Sequence, residues 1–289
     1  MAVSPLPLTS SAITARLRAA GCVFAEDEAE LLISTARTPG DLAALVDRRV
    51  AGLPLEQVLG WAEFCGLRVT LDPGVFVPRR RSEFLAAQAI DLARRTLANG
   101  SGTPANGAGT PADGSGGPAA GCRMVVVDLC CGSGALGAAV AAALSTPVEL
   151  HAVDLDPVAV RCARSNLAPA GGHVHQGDLY EPLPDRLRGR VGVLLASPPY
   201  VPTGAIGLLP AEAREHEPLL ALDGGVDGLD IVRRVIAGAP LWLAPGGHLL
   251  VETSEGQAAN TAEAMARAGL TPRVTGSDEL YATVVTGTR

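Results

Sequence analysis

Two hydrophobic periods divide the chain. Up to residue 51 apolar positions recur at helical spacing; from residue 123 short apolar runs alternate with helix-period stretches. Three helices are predicted first. SSAITARLRAAG starts on serine cap candidates and stops at Gly21. AEDEAELLISTAR carries acids in its first turn, where the helix dipole favours them, so Glu26-Asp27-Glu28 reads as helix-start chemistry and not as a metal cluster. PGDLAALVDRRVAG puts Leu42, Leu45 and Val46 at helical spacing. Residues 61–77 change to β character, and Asp72-Pro73-Gly74 supplies a turn for a hairpin-like element. A helix then runs from about Ser82 to Leu97.

Beyond residue 123, RMVVVD, VELHAVD, HVHQGD, VGVLLAS and HLLVET read as strands. GALGAAVAAAL, DPVAVRCARSNL, 228–243 and 257–268 read as helices between them, and two strands end the chain. This alternation predicts an α/β protein with a doubly wound sheet. Ligands of such sheets bind beyond the carboxyl ends of the strands. Asp128, Asp154, Asp178 and Ser197 fall at four such ends and are expected to face one crevice. Residues 98–121 are Gly, Pro, Ala, Ser and Thr with almost no apolar anchor, which predicts a disordered insert between a helix and a strand.

Composition narrows the function. At 289 residues and 47% hydrophobic, the chain can bury a sizeable core. It has no apolar stretch of membrane-spanning length and no secretion signal, so a cytoplasmic protein is expected. The six cysteines form no C-x-x-C pair, and the adjacent Cys130-Cys131 suits neither a disulfide framework nor zinc; no metal is predicted. His173-x-His175 reads as alternating strand residues, and Glu215-His216-Glu217 as structural. A net charge of −7 argues against nonspecific nucleic-acid binding. All 23 basic residues are arginine, which excludes a lysine Schiff base and a G-K-[ST] phosphate loop.

Gly132-x-Gly134-x-x-Gly137, with Asp154 about 20 residues on, matches the dinucleotide fingerprint and brings in a nicotinamide-dependent oxidoreductase. Asp128 shifts the balance. A carboxylate at that strand end repels a pyrophosphate but suits S-adenosylmethionine, which has an ammonium, a sulfonium and no phosphate. Glycine lets the backbone approach the ligand. Asp154 can accept from both ribose hydroxyls, and Asp178 is placed to meet the adenine amino group.

Ser197-Pro198-Pro199-Tyr200 is a stiff corner at a strand end, because two prolines continue neither a ladder nor a helix. Such a corner suits methylation of a planar NH2 group. Its nitrogen lone pair is delocalised, so the enzyme must hold both N–H bonds and aim the nitrogen at the methyl carbon. A side-chain oxygen and a backbone carbonyl can accept from it, and the tyrosine ring can cover its face.

The segments LPLEQVLGWAEFCGLRVTLDPGVFVPRRRSE, DLCCGSGALG, AVDLDPVAV, GDLYEPL, SPPYVPTGAI and EHEPLLALDGGVDGLDIVRRV together resemble the HemK-type protein glutamine-N5 methyltransferases. The resemblance spans about residues 10–285. It implies a helical substrate-docking domain over 1–60, a β-hairpin connector over 61–81 and a Rossmann-like methyltransferase domain over 82–289. It also implies that Asp128, Cys130, Gly132 and Gly134 line the cofactor loop, Asp154 the ribose, and Asp178 with Leu179 the adenine. Ser197, Pro198 and Tyr200 would hold the substrate amide, supplied by a release factor or ribosomal protein. Three departures mark a divergent paralogue: Ser197 stands for the family's asparagine, Cys130 for its glycine, and Arg80-Arg81 for its proline and acid. The rival expectations are a DNA or RNA amino-methyltransferase and a cofactor-binding paralogue without transfer.

Overall fold

The computed structural model describes residues 9–98 and 123–289. Apart from Ala98, the insert expected over 98–121 lies outside them.

Four helices come first: α1 (Ser10–Ala19), α2 (Ala25–Thr35), α3 (Pro39–Val50) and α4 (Leu55–Leu59). Thr9, one residue before the expected serines, caps α1 by accepting from the Ala12 N–H; Thr38 does the same for α3 at Asp41. Ile13, Leu17, Ala29, Leu32, Val46 and Val58 form their shared core. Glu28 has a second task beyond helix-start chemistry. It is buried, and its two oxygens take the buried Arg49 guanidinium at 2.6 and 3.1 Å.

Strands β1 (Trp61–Phe64) and β2 (Leu67–Thr70) form an antiparallel hairpin. Its turn is Cys65-Gly66, with φ of 50° and 73°, the left-handed pair that matches strand twist. Asp72-Pro73-Gly74, the expected turn, lies just after β2. Its residues are too late in the chain to join strands that pair Phe64 with Leu67.

After α5 (Glu83–Ala98), the sheet strands are β3 (Val125–Leu129), β4 (Glu149–Asp154), β5 (His173–Gln176), β6 (Val191–Ala196), β7 (Leu243–Thr253), β8 (Thr271–Ser277) and β9 (Ala282–Thr288). The helices among them are α6 (Ala135–Ala143), α7 (Pro157–Leu167), α8 (Ala211–His216), α9 (Asp230–Trp242) and α10 (Glu255–Arg267). The strand order is β5-β4-β3-β6-β7-β9-β8; β3 to β7 run parallel, and β9 is antiparallel to both β7 and β8. Alternate strand residues feed two cores. Val126, Leu150, Val193 and Leu195 meet α5, α6 and α7, while Val127, Val153, Leu194 and Leu249 meet α9 and α10. The order reverses between β3 and β6, so the crevice of a doubly wound sheet opens there. No described helix is long and apolar enough to cross a membrane.

At the β5 edge His151 joins His173 and His175, with ring centroids 4.9 and 5.3 Å from its own. His151 Nδ1 lies 3.0 Å from His175 Nε2, and Glu149 lies 3.1 Å from its other nitrogen. The described residues hold no group of three that could bind a metal. Burial holds His151 and His175 below the usual imidazole range, and neighbouring imidazoles add to this. The unfolded chain therefore takes up protons that the folded edge resists, so stability is full above the unfolded-state pKa of about 6.5 and falls below it. Thermal unfolding between pH 7.5 and 5 should show a falling Tm, with a shallower slope in His175→Gln.

Candidate active site

Four residues leave the sheet in one row. Leu129 is in register with Val153 and Ala196, and Ala196 with Val251. The next residue on each strand is Asp154, Cys130, Ser197 and Glu252, in order across β4, β3, β6 and β7. All four line one cavity of about 520 Å³. Asp178 and Leu179, just past β5, line one flank with Ile231 and Arg234 of α9. Phe76, Arg79 and Arg81 of the segment before α5 close the other, with Leu209, Pro210 and Leu220 after the proline corner; Pro54 reaches the rim from the N-terminal helices.

The glycine loop divides by task. Gly132, at φ 53°, donates its N–H to Asp154 Oδ2 at 2.8 Å. A Cβ built on it meets no protein atom within 4 Å, so this face is open to a ligand. Gly134 lies outside the cavity lining. It caps α6 at φ 79°, and a Cβ there would meet Leu167 and Ala163 at 3.1 and 3.2 Å, so its task is to let α6 approach α7. Asp128 also departs from expectation. It sits two residues below Cys130, fully buried, with Oδ2 on the Gly137 N–H at 2.9 Å and, among the described residues, no partner for Oδ1. Alternation along β3 puts Asp128 on the face of Val126, under the start of α6. Burial pushes its carboxyl up to about 7. Of the four polar strand ends, Asp154, Asp178 and Ser197 share the crevice, and Asp128 supports it from beneath.

Asp154 is raised by burial, against the N–H groups of Asp156 and Gly132 that favour its charge. Asp178 pairs with Arg234 at 2.6 Å. Cys130 and Leu179 hold φ of 55° and 48°, so two of the four described non-glycine residues in the left-handed region line this cavity. Backbone strain of this kind gathers at working sites.

The corner is held from behind. Gln257 of α10 donates to the carbonyls of Tyr200 and Asp227, at 3.0 and 2.9 Å. Val201 bonds to Leu222 and Gly224 on either side of its partner Asp223. A Cβ on Gly224 would fall 2.7 Å from the Pro199 carbonyl, so only glycine fits against the corner. In front, the Tyr200 hydroxyl donates to Glu252 Oε1 at 3.2 Å, and Arg81 Nε lies 3.3 Å from the same oxygen. Ser197 Oγ is 3.5 Å from Glu252 Oε2. Burial first, and then the Glu252 carboxylate, push the Tyr200 hydroxyl up, so it stays an O–H donor. Beside it, Arg79 pairs with the buried Glu217, whose Oε1 accepts from the Val77 N–H at 3.2 Å.

Residues 119–208 match the Methyltransferase small domain family. The release factor glutamine methyltransferase of Geobacter sulfurreducens is 34% identical over 83% of this chain and 75% of its own. That of Mycolicibacterium smegmatis is 34% identical over 93% and 92%. The chain belongs to the release factor glutamine methyltransferase family. Two solved structures share its fold. The hMettl16 catalytic domain, in complex with a MAT2A 3'UTR hairpin, has a TM-score of 0.54 at 13% identity over 84% of this chain and 81% of its own. A T. thermophilus 16S rRNA methyltransferase, in complex with AdoMet and guanosine, has 0.50 at 18% over 79% and 49%.

Within this family member the departures converge, since Cys130, Ser197 and Arg81 line the same cavity. Glu252 carries the same sequence signal as Ser197, a polar residue ending an apolar run. Gln257 and Arg234 carry none, because each acts from a helix across the fold. Cys130→Gly should release left-handed strain of about 1–2 kcal/mol and raise Tm; a lowered Tm would show that thiol packing outweighs the strain.

Proposed function

We propose that this chain transfers a methyl group from S-adenosylmethionine to a glutamine side-chain amide of a translation protein such as a peptide release factor. The observation that carries this reading is the row of strand ends: the glycine loop and the proline corner leave adjacent strands and open on one cavity. The residues fit the cofactor. Gly132 leaves room for a ligand beside Asp154, whose carboxylate is oriented by backbone N–H groups and suits a ribose diol. Asp178 and Leu179 offer an acceptor and an apolar wall for the adenine. When bound, the cofactor supplies an electrophilic methyl on a sulfonium.

The chain's own residues do the rest by position. Ser197 and the carbonyls of the proline corner accept the substrate N–H bonds, and Tyr200 covers the planar group. Gln257 and the glycine segment at 224–228 keep the corner from yielding. Phe76 and Leu209 give the cavity apolar walls beside the corner.

Mass spectrometry of a purified release factor, incubated with this protein and the cofactor, should show one added methyl on its glutamine. Cofactor binding without that methyl would overturn the glutamine substrate. Asp154→Asn should weaken cofactor binding about tenfold or more, and Tyr200→Ala should cut kcat about a hundredfold with cofactor affinity kept. Calorimetry and initial rates separate the two.

A second reading is a small arylamine, which has the same delocalised nitrogen. Ser197 favours it, since its short side chain leaves more room than asparagine. A relative from Streptomyces pristinaespiralis, 35% identical over 74% of this chain and 66% of its own, is a 4-amino-L-phenylalanine/4-methylamino-L-phenylalanine methyltransferase. The same assay with 4-amino-L-phenylalanine decides between them.

A further inference from the structure

Glu252 stands in the row beside Ser197 and has no task in the scheme above. Its side chain is 3% exposed and lines the cavity. A carboxylate this far from water needs partners on both oxygens. Oε1 has two, the Arg81 guanidinium and the Tyr200 hydroxyl. Among the described residues Oε2 has only the Ser197 hydroxyl at 3.5 Å, beyond the usual range for an O–H···O bond. One oxygen is taken and the other is under-satisfied beside the corner that faces the substrate.

We propose that Glu252 Oε2 shares with Ser197 Oγ the substrate N–H on its side and serves as counter-charge to the nitrogen as it turns positive, while Arg81 positions the carboxylate and limits its pull. The assignment rests on the methyl-transfer reading above. In the step, the nitrogen lone pair forms the N–C bond, and the C–S bond breaks with its electrons passing to sulfur. One N–H proton then leaves to Oε2. A carboxylate fits this better than an amide could, because it stabilises positive charge and can take the proton. The Ser197 hydroxyl is neutral and a weak base, so it can accept an N–H but neither balances the charge nor takes the proton.

A cationic ligand tests this without any protein substrate. Calorimetry gives the Kd of S-adenosylhomocysteine, neutral at the transfer centre, and of sinefungin, which carries an ammonium there. Wild type should prefer sinefungin. Glu252→Gln should lower that preference about tenfold or more, the range in which an opposite charge a few ångströms away acts. Arg81→Met should raise it, because the competing cation is gone. A purely structural ion pair would change both affinities together and leave their ratio alone. An unchanged ratio in folded Glu252→Gln overturns the assignment. If that variant does not fold, Arg81→Met decides alone, and no rise overturns it. If neither nucleoside binds wild type, the methyl-transfer reading itself falls and takes this assignment with it.

Discussion

The register of the parallel strands around β3 is the constraint on which the site depends. It puts Asp154, Cys130, Ser197 and Glu252 at one height on four neighbouring strands. A slip of one residue would turn each side chain to the other face of the sheet. The buried alternation on both faces prevents that slip, since the inward positions between α5–α7 and α9–α10 are mostly apolar, with Asp128 and His151 among the exceptions. The hydrophobic cores thus act on chemistry indirectly, by fixing the height at which polar side chains emerge.

Polar groups then lock what the sheet presents. Asp154 holds the Gly132 N–H, Gln257 holds the Tyr200 carbonyl, and Glu252 gathers Tyr200 and Arg81. Each is buried or nearly so, and each would be costly without its partners. The same logic ties the N-terminal helices to the cavity rim. Arg49, paired with Glu28, also reaches Glu212 at 3.3 Å, and Gln57 donates to the Val75 carbonyl at 3.1 Å. Removing one member of a buried pair such as Glu28–Arg49 costs about 3–5 kcal/mol. The segment that follows the proline corner is therefore coupled to helices far away in the chain.

The three departures from the family pattern have one physical theme. Arg81 neutralises a buried carboxylate, Ser197 makes room before it, and Cys130 adds bulk and strain across the cavity. All three line the one cavity, while the sheet register and the contacts behind the corner lie outside it.

Much was legible in the chain alone. Hydrophobic period determined nearly every helix and strand, since a buried face needs period 3.6 or 2 whatever the fold. The proline corner and the glycine loop were legible because backbone conformation there is written in the residue types. Other features needed the tertiary structure. Nothing in DLCCGSGALG says that Asp128 points beneath the site while Asp154 points into it. The hairpin turn at Cys65-Gly66 follows from pairing that composition does not encode. Arg234 reaches the cavity from α9 and Gln257 braces the corner from α10, each separated from the corner by tens of residues. Strand order and register bring them there, and these are set by long-range packing that no local pattern carries.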